Sequence, residues 1–495
     1  MKQRHHKQGI ARGQGYLLPP SIEEYVSEDN PVRAIDSYVE SLNMEELGFK
    51  NAGGELKAGQ PAYHPKMLLK LYLYGYVNRV RSSRRLAAEC QRNLEVIWLV
   101  EGQKPSHQTL ADFRSNNLEA LKKVNRDFVQ VCKELDLFGA ELVAIDGTFM
   151  RGNVGKDSIY TAERLKRAIA HLDEDIAGYF QELGAADQQE GASEGRAGEL
   201  AQKLAQLRER QQKRRGQLAQ LEASGASQIA EVDEDARLLS KPGHGTIAGY
   251  NVQAAVDSKH HLLVVAEVVQ EGNDEQQLAP MGQAAKAELG VEHLVTTQDL
   301  GYFNAQQIRE CEAASITPYV PEPDKQAQAR QAGRFTRDDF LYDGQANVYR
   351  CPQGQELPFS TTARKGEKVL HIYRSSVPVC AQCPLKSHCL PKKTACRTIS
   401  RWEQEALIEA HRERMAKEGP EKMRQRAAIV EHVFGTLKLW CGWTHFLMRG
   451  LEKVRAELSL LMVAYNFKRV LQIFGLAAFR AYCLTRSIQT AGRCA

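Results

Sequence analysis

The sequence predicts an α/β protein: a mixed sheet with flanking helices, an all-α domain before it, an inserted helical hairpin and an inserted Cys-rich module. Three observations predict this. Apolar residues recur at helical spacing over the first 135 or so positions, and short apolar strands alternate with helical stretches from Glu141 to Val320. Two segments interrupt that alternation, one with heptad spacing and one with five cysteines within 46 residues.

The elements follow in order. Met67 to Val77 is apolar with interleaved tyrosines, and Ser82 or Ser83 can cap the next helix, through Gln91. Ser106 can cap a short helix at Leu110 to Phe113. The turn between the first two carries Arg79, Arg81, Arg84 and Arg85, which suits either a helix-turn-helix-like DNA reader or a plain helical bundle with basic loops. Leu142 to Asp146 reads as a buried strand ending in a carboxylate, and Ile247 to Asp257 with His260 to Gln270 reads as a hairpin. A helix from Asp274 to Leu289, a strand from Leu294 to Gln298 closed by Asp299, a helix from Asn304 to Ala314 and a strand from Ile316 to Val320 complete the order β-β-β-α-β-α-β. Within it, residues 158–230 carry apolar residues at alternating steps of four and three, broken by a Gly-rich linker from Gly184 to Gly198, and predict an antiparallel helical hairpin; Gln211 and Arg214 interrupt the seam of its second arm. Long helices are expected at Lys422 to Leu439 and Glu452 to Phe474. The expected domains are 1–135 (helical), 136–325 with 415–475 (the sheet), 158–230 (the hairpin), 326–414 (the basic Cys-rich module) and a tail, 476–495.

With 495 residues, 43% of them hydrophobic, the chain can bury two to four ordinary cores. The basic N-terminus lacks an apolar h-region, and Asn466, Lys468 and Arg469 interrupt the greasiest stretch, so neither a secretory signal nor a membrane span is expected and the cytosol is the expected compartment. Net charge is only +5, but Thr361 to Arg401 holds nine Lys or Arg against Glu367 alone. Such a block suits a phosphate backbone, the alternative being a solvated basic face. Among the eleven cysteines, Cys380-Ala-Gln-Cys383 forms a C-x-x-C knuckle that Cys351 and Cys389 can complete to the four thiolates of a structural Zn²⁺ site; unligated thiols are the alternative.

Asp146 and Asp299 end two strands that the order above can make neighbours, and a third acid on a later helix can face them. Converging carboxylates repel unless cations are bound, and hard oxygen donors favour Mg²⁺ or Mn²⁺. Two such ions suit phosphodiester chemistry. Taken singly, either aspartate is an ordinary cap or turn residue.

The surrounding sequence adds to this. Ala144-Ile-Asp146-Gly-Thr148, Thr297-Gln-Asp299-Leu-Gly-Tyr302 and Arg426-Ala-Ala-Ile-Val-Glu431-His-Val-Phe-Gly-Thr-Leu-Lys438 together resemble the DDE transposases of bacterial insertion sequences. So do Gly15-Tyr-Leu-Leu-Pro-Pro, Tyr63-His-Pro-Lys, Gly249-Tyr-Asn-Val-Gln-Ala-Ala-Val-Asp257, the cysteine module and Leu447-Met-Arg449-Gly-Leu-Glu-Lys453, so the resemblance covers nearly the whole chain. It implies an RNase H-like core whose acids Asp146, Asp299 and Glu431 bind two Mg²⁺ (or Mn²⁺). It implies an enzyme that cuts at the terminal inverted repeats of its element, joins the 3′-OH ends to target DNA and works as a homodimer or larger assembly. Lys438, in the family's Glu-x6-Lys spacing, would meet a phosphate two helical turns beyond Glu431. Arg426, Arg449 and Lys453 are further DNA contacts that it implies, alongside Arg81, Arg84 and Arg85 at the N-terminal turn. Met423 and Arg424 stand where many relatives carry tyrosine. Asp257 and Asp274 can be supporting acids or simply turn and cap residues, and Trp440 and Trp443 can stack on a flipped base or pack in the core. A related nuclease or resolvase, or an idle DNA-binding regulator, are the competing functions.

Overall fold

The computed structural model describes residues 21–53, 61–188, 194–241, 245–366, 368–391, 393–440 and 442–494; of the positions named above, 15–20, Lys392, Glu367 and the side chain of Trp440 lie outside the described residues. The fold is mixed α/β. Seven helices open it: α1 Val32–Glu40, α2 Met44–Leu47, α3 Pro65–Val77, α4 Ser83–Arg92, α5 Leu94–Leu99, α6 His107–Asn116 and α7 Leu118–Glu134. Ser106 caps α6, its Oγ accepting from Thr109 N–H at 3.0 Å. Ser82 holds the N-cap position of α4 without a side-chain cap bond. Gly75 lets the chain return sharply between α3 and α4, because a Cβ there would stand 2.4 Å from the Val80 carbonyl.

Strand β1 runs Leu142–Arg151, well past Asp146. Strands β2 (Ile159–Thr161) and β3 (Gln228–Ala230) pair antiparallel at the root of the helices α8 (Ala162–Gln188) and α9 (Glu194–Ser224). Tyr160, Leu165 and Leu221 bury together there. Helix α8 continues through Gly184 to Gln188 and α9 starts at Glu194, so the expected linker is shortened from both sides. An unforeseen strand, β4 Arg237–Lys241, pairs with β5 (Gly245–Asp257), which pairs in turn with β6 (Leu263–Val269), all antiparallel. Then come α10 Leu278–Leu289, β7 Leu294–Thr297, α11 Ala305–Ala313 and β8 Ile316–Tyr319. After the short α12 (Ala327–Gln331), strands β9 Leu341–Asp343, β10 Val348–Arg350, β11 Glu356–Lys365, β12 Lys368–Arg374 and β13 Thr398–Trp402 form one antiparallel sheet in the order β13-β12-β11-β10-β9, with α13 (Val377–Ala381) and α14 (Lys386–Cys389) between the last two strands. The cysteine segment is thus built on a five-stranded antiparallel sheet. Its core is Phe340, Tyr349, Leu357, Tyr373 and Ile399. Helix α15 spans Glu405–Gly435 with Pro420 inside it, starting earlier than expected, and α16 spans Leu451–Phe474. Residues expected as a tail form α17, Leu476–Cys494.

The chain folds as two compact units: Met1–Ala140, Asp146–Gly272 and Ile429–Ala495 form one, and Glu141–Ile145 with Asn273–Ala428 the other. This division cuts across the expected domains. In the first unit α16 explains why: it is buried almost all round from Val454 to Phe467, against α3, α7 and β6, so the N-terminal helices share its core. Asn466 fixes it to β6, its amide donating to Leu263 O at 2.8 Å and accepting from Leu263 N at 2.9 Å. Phe479 of α17 packs on Phe128 and Phe467, with ring centroids 6.3 and 5.6 Å away. Asp257, fully buried, accepts the backbone N–H groups of Gly139, Ala140 and Lys259 at 2.9–3.1 Å, which makes it an anchor of the β5–β6 turn. In the second unit β7 runs parallel to the first residues of β1 and to β8, in the register Ala144↔Thr297↔Tyr319. Among the described residues, no single helix is long and apolar enough to cross a membrane.

Candidate active site

In the first unit, Asp146 lies half-buried on β1, and its Oδ1 accepts from Gly147 N–H at 2.7 Å. Two residues on, and therefore on the same strand face, is the buried Thr148. Lys438 Nζ donates to its Oγ1 at 2.5 Å, so Lys438 is held on the face of β1 that carries Asp146. Helix α15 ends at Gly435, and Thr436–Trp440 form a π-helical turn. Lys438 is therefore not two α-helical turns beyond Glu431 on one helix; the wider turn carries it there. Val430, Val433 and Leu437 bury the inner face of this segment while Glu431 stays exposed. His432 beside it faces His261, ring centroids 5.4 Å apart, and burial lowers the pKa of His261 with the charge of His432 adding to that.

In the second unit, Asp299 follows β7 and caps the short turn Leu300–Tyr302, Oδ1 accepting from Gly301 N–H at 2.9 Å. A Cβ on Gly301 would lie 3.1 Å from that oxygen and 3.9 Å from Oδ2 of Asp274, so glycine keeps two carboxylates close. Asp274 is 8% exposed and is not the N-cap of α10, where Gln277 stands; its place beside Asp299 favours the supporting role over the cap. Thr297, two positions before Asp299, is registered with Ala144 across β7 and β1. The Thr297 hydroxyl is buried without a hydrogen-bond partner, which suits a neighbouring water or hydrated ion. Among the described residues no three His, Cys, Asp or Glu side chains stand close enough to hold a metal. The donor chemistry nonetheless fits: carboxylate oxygens are the hard ligands Mg²⁺ prefers.

The basic residues divide. Arg84, Arg85, Arg449 and Lys453 are exposed, Arg449 donating to Asn153 O at 2.9 Å, and Arg426 is half-buried. Arg81 does not fit a DNA contact. It is buried, donates to His445 O at 2.9 Å and lies 3.7 Å from the fully buried Glu457. Glu457 accepts Leu447 and Met448 N–H at 2.9–3.1 Å, so the pair pins the loop that follows Lys438. Nothing local in the sequence marks it, since its members are 376 positions apart. Arg81→Ala is expected to lower stability by about 3–5 kcal/mol by leaving Glu457 charged and unpaired; an unfolding midpoint equal to that of the unaltered protein would contradict this. Trp443 is core, packed edge-on against Phe446 at 5.5 Å, and is no base platform in this structure.

In the cysteine module, Cys351 and Cys389 pack against the aromatic core. Burial raises the pKa of the Cys389 thiol; Arg397 opposes this, and Cys380, Cys351 and Cys383 push it further up, so these three thiols lie within electrostatic reach of Cys389. Arg397 also donates to Cys389 O at 3.1 Å and stacks over Phe340, and Arg401 pairs with Glu409 at 2.5 Å, so two of the nine basic side chains serve the module itself.

Two family models match the chain: a transposase domain (DUF772) over residues 20–116 and a transposase DDE domain over residues 350–471. The first contains the arginine turn, and the second contains the cysteines, Glu431 and Lys438. No curated protein matches the chain. Among solved structures, the cryo-EM structure of a piggyBac transposase synaptic complex with hairpin DNA is similar at 9% identity and a TM-score of 0.31, over 93% of this chain and 80% of that one.

Proposed function

The chain is a DDE-type DNA transposase, and from that premise we propose that it binds the terminal inverted repeats of its element, cleaves DNA by two-metal phosphoryl transfer in an RNase H-like core and joins the 3′-OH ends to target DNA, as a homodimer or larger assembly on cytoplasmic DNA. Asp146, Asp299 and Glu431 are its metal-binding acids, Asp274 supports Asp299, and Lys438, Arg426, Arg449, Lys453, Arg84 and Arg85 meet DNA. The observation that carries this is the Lys438–Thr148 hydrogen bond, because it puts a cation on the strand face of Asp146. Backbone N–H groups orient two of the acids, that of Gly147 holding Asp146 and that of Gly301 holding Asp299. Bound Mg²⁺ would activate the attacking oxygen and stabilise the leaving one. In cleavage a water oxygen forms a bond to phosphorus and the 3′-oxygen leaves; in joining, that 3′-oxygen attacks a target phosphorus and the target's own 3′-oxygen leaves. The second step exchanges one ester bond for another and needs no energy source. Lys438 meets the charge that develops on the phosphate.

Cys351, Cys380, Cys383 and Cys389 hold a structural Zn²⁺. The support is the soft-thiolate donor set, three members of which act electrostatically on Cys389, with Arg397 offsetting the negative charge of such a site; in this structure the four are not closed around one point.

Purified protein, Mg²⁺ and labelled DNA from either side of the coding sequence test the main assignment. Specific cleavage followed by joining is expected. Binding without cleavage would make the protein an idle regulator, and cutting without joining a nuclease.

A further inference from the structure

The β11–β12 ribbon ends in a tip that extends beyond its third strand: β12 pairs with β13 from Leu370 to Arg374, so only the pairs Arg364–Val369 and Lys365–Lys368 are two-stranded. β10 pairs only with Glu356, Leu357 and Pro358, so from Phe359 onward β11 has a neighbour on one side alone. Every β11 residue from Pro358 to Lys365 is exposed. Eight residues extend about 25 Å. The far end carries Arg364 and Lys365, paired across the ribbon with Val369 and Lys368, and exposed Thr361 and Thr362 lie behind them. Unlike Arg397 and Arg401, Arg364 and Lys365 are exposed and sit on the unpaired edge.

We propose that this ribbon is an arm that lies along duplex DNA, Arg364 and Lys365 contacting phosphates with the Thr361 and Thr362 hydroxyls beside them; this rests on the DNA-transposase function above. The two-stranded tip fits a major groove, with the open edge of β11 behind it, and Lys, Arg and Thr are ordinary phosphate contacts. The open edge adds backbone N–H donors that no neighbouring strand uses. The same charges have one other physical use, which is to stop the edge from pairing with another copy of the chain.

The test uses the full-length protein with Arg364→Ser and Lys365→Ser together, and a charge-preserving control, Arg364→Lys with Lys365→Arg. Affinity is measured over a range of salt for two duplexes, one from the element's end and one unrelated. The serine variant is expected to bind several-fold more weakly, with a log K against log salt slope shallower by about 2, from two lost phosphate contacts. The control is expected to match the unaltered protein. Loss on the end duplex alone places the arm on the element's ends, and loss on both places it on any duplex, target DNA included. Unchanged affinity and slope, with the unaltered protein binding and cleaving normally, would overturn the arm only; so would unchanged binding with new self-association, which would assign the charges to edge protection. An unaltered protein that binds neither duplex would overturn the underlying function as well.

Discussion

Asp146→Asn, Asp299→Asn and Glu431→Gln each lower strand cleavage by at least about 10³-fold, roughly 4 kcal/mol of lost transition-state stabilisation, while affinity for DNA changes little. The loss comes from removing a charged ligand without changing side-chain volume, so the fold tolerates it: Asp146 is half-buried and Glu431 exposed. Asparagine at 299 can keep the turn cap, because its carbonyl still accepts from Gly301 N–H. That separates the ligand role of Asp299 from its structural one. Cleavage at the normal rate in any of the three would remove that residue from the site. Asp274→Asn is expected to have a smaller effect, since its part is to support Asp299 across Gly301.

Replacing Cys380 and Cys383 with serine is expected to release the proposed zinc ion and to loosen the module around β9 to β13. Zinc binding is worth on the order of 10 kcal/mol in small modules that fold only with metal. The loss here is smaller, because the Tyr349, Leu357 and Tyr373 core stays to hold the sheet. A lower unfolding midpoint, early proteolysis within 341–402 and zinc in the unaltered protein by elemental analysis are the expected results. Unaltered protein without zinc would leave the cysteines as packing residues.

What could be read from the sequence was local. Ser106 and Asn304 cap their helices as helix-start signals say they should, because a cap depends on bonds within three residues. The strand that carries Asp146 and the strand that precedes Asp299 were each legible through their apolar runs. Where partners are distant the sequence was silent. β4, Arg-Leu-Leu-Ser-Lys, has no clean alternation, and its place is fixed by pairing with β5. The Thr-rich β11 is exposed on both faces, so it carries no apolar signal to announce a sheet. Gly419-Pro420 reads as a helix stop, yet α15 passes through it. The arginine turn shows the same limit at the level of function. Arg81, Arg84 and Arg85 look alike in the sequence, and only burial against Glu457 sets the first apart. Likewise the seven-residue step from Glu431 to Lys438 was legible as spacing, but the π-turn that delivers Lys438 to Thr148 was not.

The central claim is that the three acids act by holding divalent ions, and a change of metal preference tests it most directly. Asp146→Cys is assayed for cleavage of element-end DNA in Mg²⁺ and in Mn²⁺, beside the unaltered protein. A thiolate is a poor ligand for Mg²⁺ and a better one for the softer Mn²⁺. The expected result is no cleavage in Mg²⁺ and restored cleavage in Mn²⁺, with the unaltered protein active in both. Equal activity of the cysteine variant in the two metals, at the level of the unaltered protein, would show that Asp146 binds no catalytic ion.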